Sequence, residues 1–428
     1  MAIAALKEAK VPVIVIAVIC FLVGLGIGWV IKPAPAPAKP TLIVIGPWAG
    51  PEMEKYKPVL EAAEEALGIE IEYRIYRAED LGAILPSQFE AEMTPGDVIH
   101  WCWPVAIREM AEKGHLTDLS DIVDTTKYPE AVIKAVTVDG KIYAAPYTYK
   151  VKPGFWYRKS KFTEWGITEE PKNWKEFVDL LNTLRTKLGR NDVIASGNGV
   201  GWPLSDITEH FILYKAGKDA FEKLKTGEQR FTDPPVEDAF GPETTEGTLS
   251  WLIAQGYFSE PKDWTTIMED WWDGKYGLYF MGSWILGMVD DPEDLGLIPL
   301  TAFEDSASKA IVGCFPDYVI VPKYTKYPEL AKQLAAFLSG VEGQTIQVEQ
   351  GGHVASHKDV SLDAYPAADR ALAEEISGMD VVFDLDDTVG GVFQTTFWDQ
   401  LKYLWAHPEE WETCLNNIQS ALEEQLGA

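Results

Sequence analysis

From Thr41 onward the chain alternates short apolar strands with amphipathic helices, and this alternation limits the fold more than any other feature. TLIVIG at Thr41 reads as a buried strand, Pro51 to Ala66 as a helix opened by proline, and IEIEYRIY as a second strand. A helix over Leu81 to Glu92, a strand over Asp97 to Trp101 and a helix over Pro104 to Lys113 follow. Strands separated by helices of this length predict parallel βαβ units that present ligand contacts at the carboxyl ends of the strands. Trp48, Trp101 and Trp103 stand at those ends.

The stretch Asp139 to Lys159 breaks the rhythm. Two alternating apolar runs, Ile142 to Tyr149 and Gly154 to Tyr157, flank Lys152 and Pro153, which predicts an extended segment passing from one compact body to another. Tyr147, Tyr149, Phe155 and Trp156 would project from it where a cleft lies between the bodies. Beyond it, Trp174 to Leu188 reads as a helix, and the glycine-rich GNGVGWPLSDITEHF as a turn leading into another, with Trp202 and Asp206 at its start. YGLYFMGSW is a strand running into a turn that carries Trp284, and Asp317 opens a strand to Pro322. Helices Pro328 to Leu338 and Gly343 to Glu349 precede late helices bearing Trp398, Trp405 and Trp411. Trp165, Trp174, Trp251 and Trp411 lie in or beside amphipathic patterns and are assigned to packing.

Ahead of this body, Val11 to Ile31 is an uncharged apolar run long enough to cross a bilayer, and Lys7 and Lys10 before it favour an inside amino terminus. The predicted layout is a cytoplasmic tip and transmembrane anchor over 1–31, a Pro-Ala linker over 32–40, and an extracellular body. The linker, KPAPAPAKP, stays extended at about 3 Å per residue.

Composition narrows the function. A formal net charge of -29 argues against any phosphate-backbone partner, so no nucleic acid is expected. The glycines match neither a dinucleotide nor a phosphate-loop fingerprint, so no cofactor is expected. No metal is expected either: Asp384, Asp386 and Asp387 begin like a calcium loop but Thr388 and Val389 break it, and His353 and His357 lack the glutamate of a zinc protease. Cys102, Cys314 and Cys414 allow at most one disulfide in the body, and their spacing does not choose it. There are 16 Trp, and 15 lie past residue 40, many at strand or helix ends beside polar residues. Aromatic planes ringed by hydrogen-bonding groups suit the flat C–H faces and hydroxyl rims of a sugar.

Three stretches carry a resemblance. GFWYRKSKFTEWGITEEPKNWKEFVDLLNTL, DGKYGLYFMGSW and ELAKQLAAFLSGVEGQTIQVEQGGHVAS resemble the extracellular solute-binding proteins of ABC importers, the family that includes maltose-binding protein. The likeness covers nearly all of Thr41 to Gly427. It implies an α/β fold of two lobes joined by a multi-strand hinge, the first over 41–149 plus about 318–358, the second over 150–317 plus about 359–428. It further implies a non-enzymatic receptor that passes a sugar to the permease subunits of an importer, with Trp101 or Trp103, Trp202, Trp284 and Trp398 facing the cleft. Arg158 departs from the family's usual Asn. The tethering helix with its proline-rich spacer resembles the arrangement in archaeal binding proteins. The competing expectations are a receptor of the same fold for a polyamine or peptide, which the acidity favours, and a surface glycosidase using two of the 66 carboxylates.

Overall fold

The computed structural model describes residues 39–376 and 378–427. The expected membrane helix Val11 to Ile31 and most of the linker lie outside the described residues. Among the described residues no helix is long and apolar enough to cross a membrane. Thr41–Ala428 forms one compact unit.

The strands expected at the start pair as parallel neighbours. Thr41–Gly46 lies between Glu70–Ile75 and Val98–Trp101, with Thr41 opposite Glu70 and Val44 opposite Val98. Tyr318–Ile320, arriving from much later in the chain, closes the sheet antiparallel to Val98–Trp101. Helices Pro51–Leu67, Ala78–Glu90 and Pro104–Glu112 make the connections. The first begins with proline at its amino end, where the missing N–H costs nothing, and stops at Gly68 in the left-handed conformation, φ 66°. Val44, Ile45, Leu60, Leu81, Phe89 and Ile99 fill this core together with Tyr318 to Val321 and Leu334.

A second four-stranded sheet has the order Leu295–Ile298, Gly154–Arg158, Leu278–Met281, Ile194–Ala195. Gly154–Arg158 is antiparallel to both of its neighbours. Helix Trp174–Leu188 packs Phe177, Leu181 and Leu184 into the second core, and it has the predicted limits because its signals are local. Asn173 caps it, accepting from Glu176 N–H at 3.0 Å, and Gly189 ends it. Helix Trp202–Leu224 is buried on most sides and bends at Gly217, φ 86°. Trp174 is buried in this core, and Trp165, Trp251 and Trp411 pack against it.

Between the cores the chain crosses in two short ladders, and the apolar run Ile142 to Tyr149 is not one continuous strand. Pro146, which lacks an N–H, interrupts that run, leaving Lys141–Ile142 in a hairpin and Thr148–Tyr149 paired with Val354–Ala355. Val151–Lys152 pairs with Ala310–Gly313, which also pairs with Asp380–Phe383. Cys314 N–H donates to Lys150 O at 2.9 Å and Asp317 N–H to Thr148 O at 3.0 Å, so the two crossing segments are tied to each other. Side chains on this crossover therefore reach into whatever space lies between the cores.

Candidate functional site

That space is a cavity of about 200 Å³ walled by both cores and floored by the crossover. Six tryptophans line it: Trp48, Trp103, Trp202, Trp264, Trp284 and Trp398. Trp202 meets Trp264 edge to face at 5.6 Å and Trp284 at 5.7 Å, so three indoles form one corner. Trp103 faces Trp398 from the opposite core at 6.0 Å. Two of these rings depend on a bare glycine backbone. A Cβ at Gly282 would lie 1.8 Å from the ring of Trp284, and one at Gly201 would lie 2.2 Å from Trp398 Cβ. The glycine before Trp284 thus lets the ring fold back over the turn, and the glycine before Trp202 makes room for Trp398.

The polar wall is built from the crossover outward. Lys150 pairs with Asp317 and sits 5.6 Å from the centre of the Trp48 ring. Burial opposes its charge, but Asp317 and Glu52 outweigh burial and hold the ammonium above its usual range. Glu52, in the first turn of helix Pro51–Leu67, is pushed up to about 7 by burial, with Lys150 opposing. Lys152 is buried, its Nζ 2.5 Å from Asp206 and 2.9 Å from Asp384. Burial raises Asp206 to about 7 despite that partner. Asp386 accepts the indole N–H of Trp398 at 2.7 Å and the hydroxyl of Ser205 at 2.6 Å, which fixes that ring at the cavity wall. Asp387 is raised well above the usual carboxylate range by burial and by neighbouring Asp384 and Asp386.

Of the residues expected at the site, the structure brings together Trp48, Trp103, Trp202, Trp284, Asp317 and Trp398. Trp101, Tyr147, Tyr149, Trp156 and Asp206 do not line the cavity. Trp101 is the last residue of its strand and packs inside the first core, whereas Trp103, two residues on, caps the next helix and clears the sheet. Tyr147 is fully buried and donates to Gln347 Oε1 at 2.9 Å. Tyr149 packs against a third, smaller core, and Trp156 within it donates to Met281 O at 2.6 Å. Asp206 lies behind the wall as a partner of Lys152.

Sequence reasoning missed Glu52, Lys150, Lys152, Trp264, Asp386 and Asp387. The two lysines carried a signal, since a charged side chain inside an apolar crossover needs buried acids to face it. Glu52 follows the loop at a strand's carboxyl end, the same position rule that picked out Trp48. Asp386 and Asp387 lie in a stretch that reads in sequence as a broken calcium loop, and nothing local marks their place at the cavity. Among the described residues Cys102, Cys314 and Cys414 are free, the first two at the cavity wall.

The profile of the family described as bacterial extracellular solute-binding protein matches residues 49–345. An uncharacterised ABC transporter extracellular-binding protein of Pyrococcus horikoshii is 49% identical over 381 residues, which is 88% of this chain and 87% of that protein. The alpha-glucosides-binding periplasmic protein of Rhizobium meliloti is 24% identical over 362 residues, 76% of this chain and 74% of its own. Among solved structures, a chitin oligosaccharide binding protein superposes with a TM-score of 0.75 at 21% identity, covering 91% of this chain and 100% of that one. A maltose-bound binding protein of T. maritima does so with a TM-score of 0.68 at 18% identity, over 90% of this chain and 99% of that one. These structures share the two-lobed, periplasmic-binding-protein-like α/β fold. The chain therefore belongs to the bacterial extracellular solute-binding protein family, whose members bind a solute without transforming it.

Proposed function

We propose that this protein is an extracellular receptor that takes a sugar, a mono- or short oligosaccharide, into the tryptophan-lined cavity and delivers it to the permease subunits of an ABC importer. The observation that carries the reading is the cavity itself: six indoles with Glu52, Asp317, Asp386 and Asp387 between them. Indole faces pack on the C–H faces of a pyranose while carboxylates accept from its hydroxyls. A cavity of about 200 Å³ falls below the ~300–1,000 Å³ of drug-sized ligand sites, which favours a short sugar over a long one. Relatives named for alpha-glucosides and chitin oligosaccharides support the same class. In this reading 41–149 plus about 318–358 and 150–317 plus about 359–428 are lobes that close on the sugar. The apolar run 11–31, with the lysines before it, would tether the body at the outer face of the cell membrane.

One observation favours a second reading. Five acidic residues line the cavity, Glu52, Glu79, Asp317, Asp386 and Asp387, against Arg77, Lys150 and Lys152, so a polyamine or basic peptide would also find complementary charge. Thermal-shift screening of Thr41–Ala428 separates the two, because ligand at 100 times its dissociation constant stabilises by about 2.7 kcal/mol. Stabilisation by an α-glucoside or chitin oligosaccharide is expected. Stabilisation by polyamines, with none by any sugar, would replace the first reading with the second.

A further inference from the structure

The charges that line the cavity do not all find partners. Each of the three lining cations is taken: Lys150 by Asp317, Arg77 by Asp263, and Lys152 by both Asp206 and Asp384. Asp386 accepts from Trp398 and Ser205, and Asp387 accepts from the amide of Gln394 at 2.6 Å. Glu52 differs, because among the described residues its carboxyl has neither a hydrogen bond nor an ion pair although it lines the cavity. It stands in the first turn of helix Pro51–Leu67 and faces Lys150 from the crossover, Asp317 from just before strand Tyr318–Ile320, and Tyr73 from strand Glu70–Ile75. Lys150 is already held by Asp317, and burial pushes the Glu52 carboxyl up to about 7. A proton supplies there the compensation that a cationic group on a ligand would supply.

We propose that, within the sugar reading above on which this rests, the ligand is an amino sugar whose protonated amine is held by Glu52. The two parts of such a ligand match the two parts of the cavity. Its ring supplies flat C–H faces for the indoles, and its ammonium supplies three donors to a carboxylate that has no other partner. The indoles add to the fit, since a ring face attracts a cation and the Trp48 ring already lies 5.6 Å from Lys150 Nζ. A neutral sugar leaves Glu52 uncompensated, an N-acetylated one has lost the charge, and a polyamine has the charge without a ring face. Binding carries a balanced proton step. The ammonium favours the charged form of Glu52, so the carboxyl proton passes to solvent while the amine keeps its own. A neutral sugar releases no such proton.

The full chain, purified in detergent, is titrated by calorimetry at pH 6.5, where an amine with an α-amino-like pKa of about 7.7–8.0 keeps its proton. The probes are matched sets that differ only in carrying a hydroxyl, an amine or an acetylated amine: glucose, glucosamine and N-acetylglucosamine, the galactose equivalents, and cellobiose, chitobiose and diacetylchitobiose. At least one amino sugar should bind at least tenfold more tightly than both of its counterparts. Repeating the titration in buffers of different ionisation enthalpy counts protons, and the amino sugar should release roughly one half to one proton per molecule bound. That count is made on the wild-type chain and needs no variant. Glu52→Gln, checked for its fold by circular dichroism, should cut the advantage of the amine at least fivefold and abolish the released proton. A hydroxyl or acetylated counterpart that binds as tightly as the amine would overturn the proposal and leave the sugar reading standing. An advantage and a proton release unchanged in Glu52→Gln would take the amine away from Glu52 and overturn it as well. No binding of any sugar, charged or neutral, would remove the sugar reading itself and this proposal with it.

Discussion

At the scale of single residues, Trp202 and Trp284 carry the same expected role but different structural burdens. Trp202 is half-buried at the start of its helix, whereas Trp284 is 9% exposed and packs with Ile285 and Met281 in the third core. Trp202→Ala should therefore weaken sugar binding by about 2 kcal/mol with little change in melting temperature. Trp284→Ala should cost about 3 kcal/mol or more of stability as well as affinity. Calorimetric melting and titration of both variants would check this, and a Trp202→Ala protein that melts far below wild type yet binds normally would make it a packing residue. Glu52 gives a pH signature. Its folded value of about 7 lies above the unfolded 4.5, so the folded protein holds a proton between those values that the unfolded chain releases. The stability tied to that proton is complete below about 4.5 and is lost as pH rises through 7. Relative to wild type, Glu52→Gln should gain roughly 2–3 kcal/mol between pH 5 and pH 8. A stability difference that is the same at both pH values would show that Glu52 titrates normally. The sequence places Trp202 and Trp284 beside glycine turns, but the space those glycines give to a ring lying on them is a tertiary contact that no local signal carries.

At the scale of elements, the chain is most legible where signals are local. Helix Trp174–Leu188 carries its own cap, its own stop and an amphipathic repeat, and its limits follow from sequence. The crossover is less legible because its strands are two residues long and paired with segments some 160 to 200 positions away. Which face of a strand end meets the cavity is equally hidden, as Trp101 and Trp103 demonstrate. The turn Gly282–Ser283–Trp284 sits between these cases. Gly282→Ala puts a methyl 1.8 Å from the Trp284 ring, and the ring must move because the backbone of strand Leu278–Met281 is fixed by its neighbours. The variant should lose about 1–3 kcal/mol of stability and bind sugar at least tenfold more weakly, read by chemical denaturation and calorimetry. Wild-type affinity in Gly282→Ala would mean that the ring position does not matter to the site.

At the scale of the whole molecule, contacts run across the mouth of the cavity from one core to the other. Arg77, from the loop after Glu70–Ile75, reaches Asp263 with Nη1 and Nη2 at 3.4 and 3.5 Å from Oδ2. Gly390 approaches Val105 so closely that a Cβ there would meet Val105 at 2.8 Å. If closure traps the ligand, the exposed Arg77–Asp263 pair holds the closed form by about 0–1 kcal/mol. Arg77→Ala should then raise the ligand dissociation rate up to about fivefold in stopped-flow mixing, with the melting temperature of the free protein unchanged. An unchanged dissociation rate would remove the pair from the closing mechanism. The central claim, that a sugar sits among the six indoles, is tested most directly by tryptophan emission from Thr41–Ala428 during titration with short α-glucosides and chitin oligosaccharides. The account predicts a saturable change with at least one sugar that Trp202→Ala reduces and that a polyamine does not reproduce. A saturable change with spermidine or a basic peptide, and none with any sugar, would contradict it.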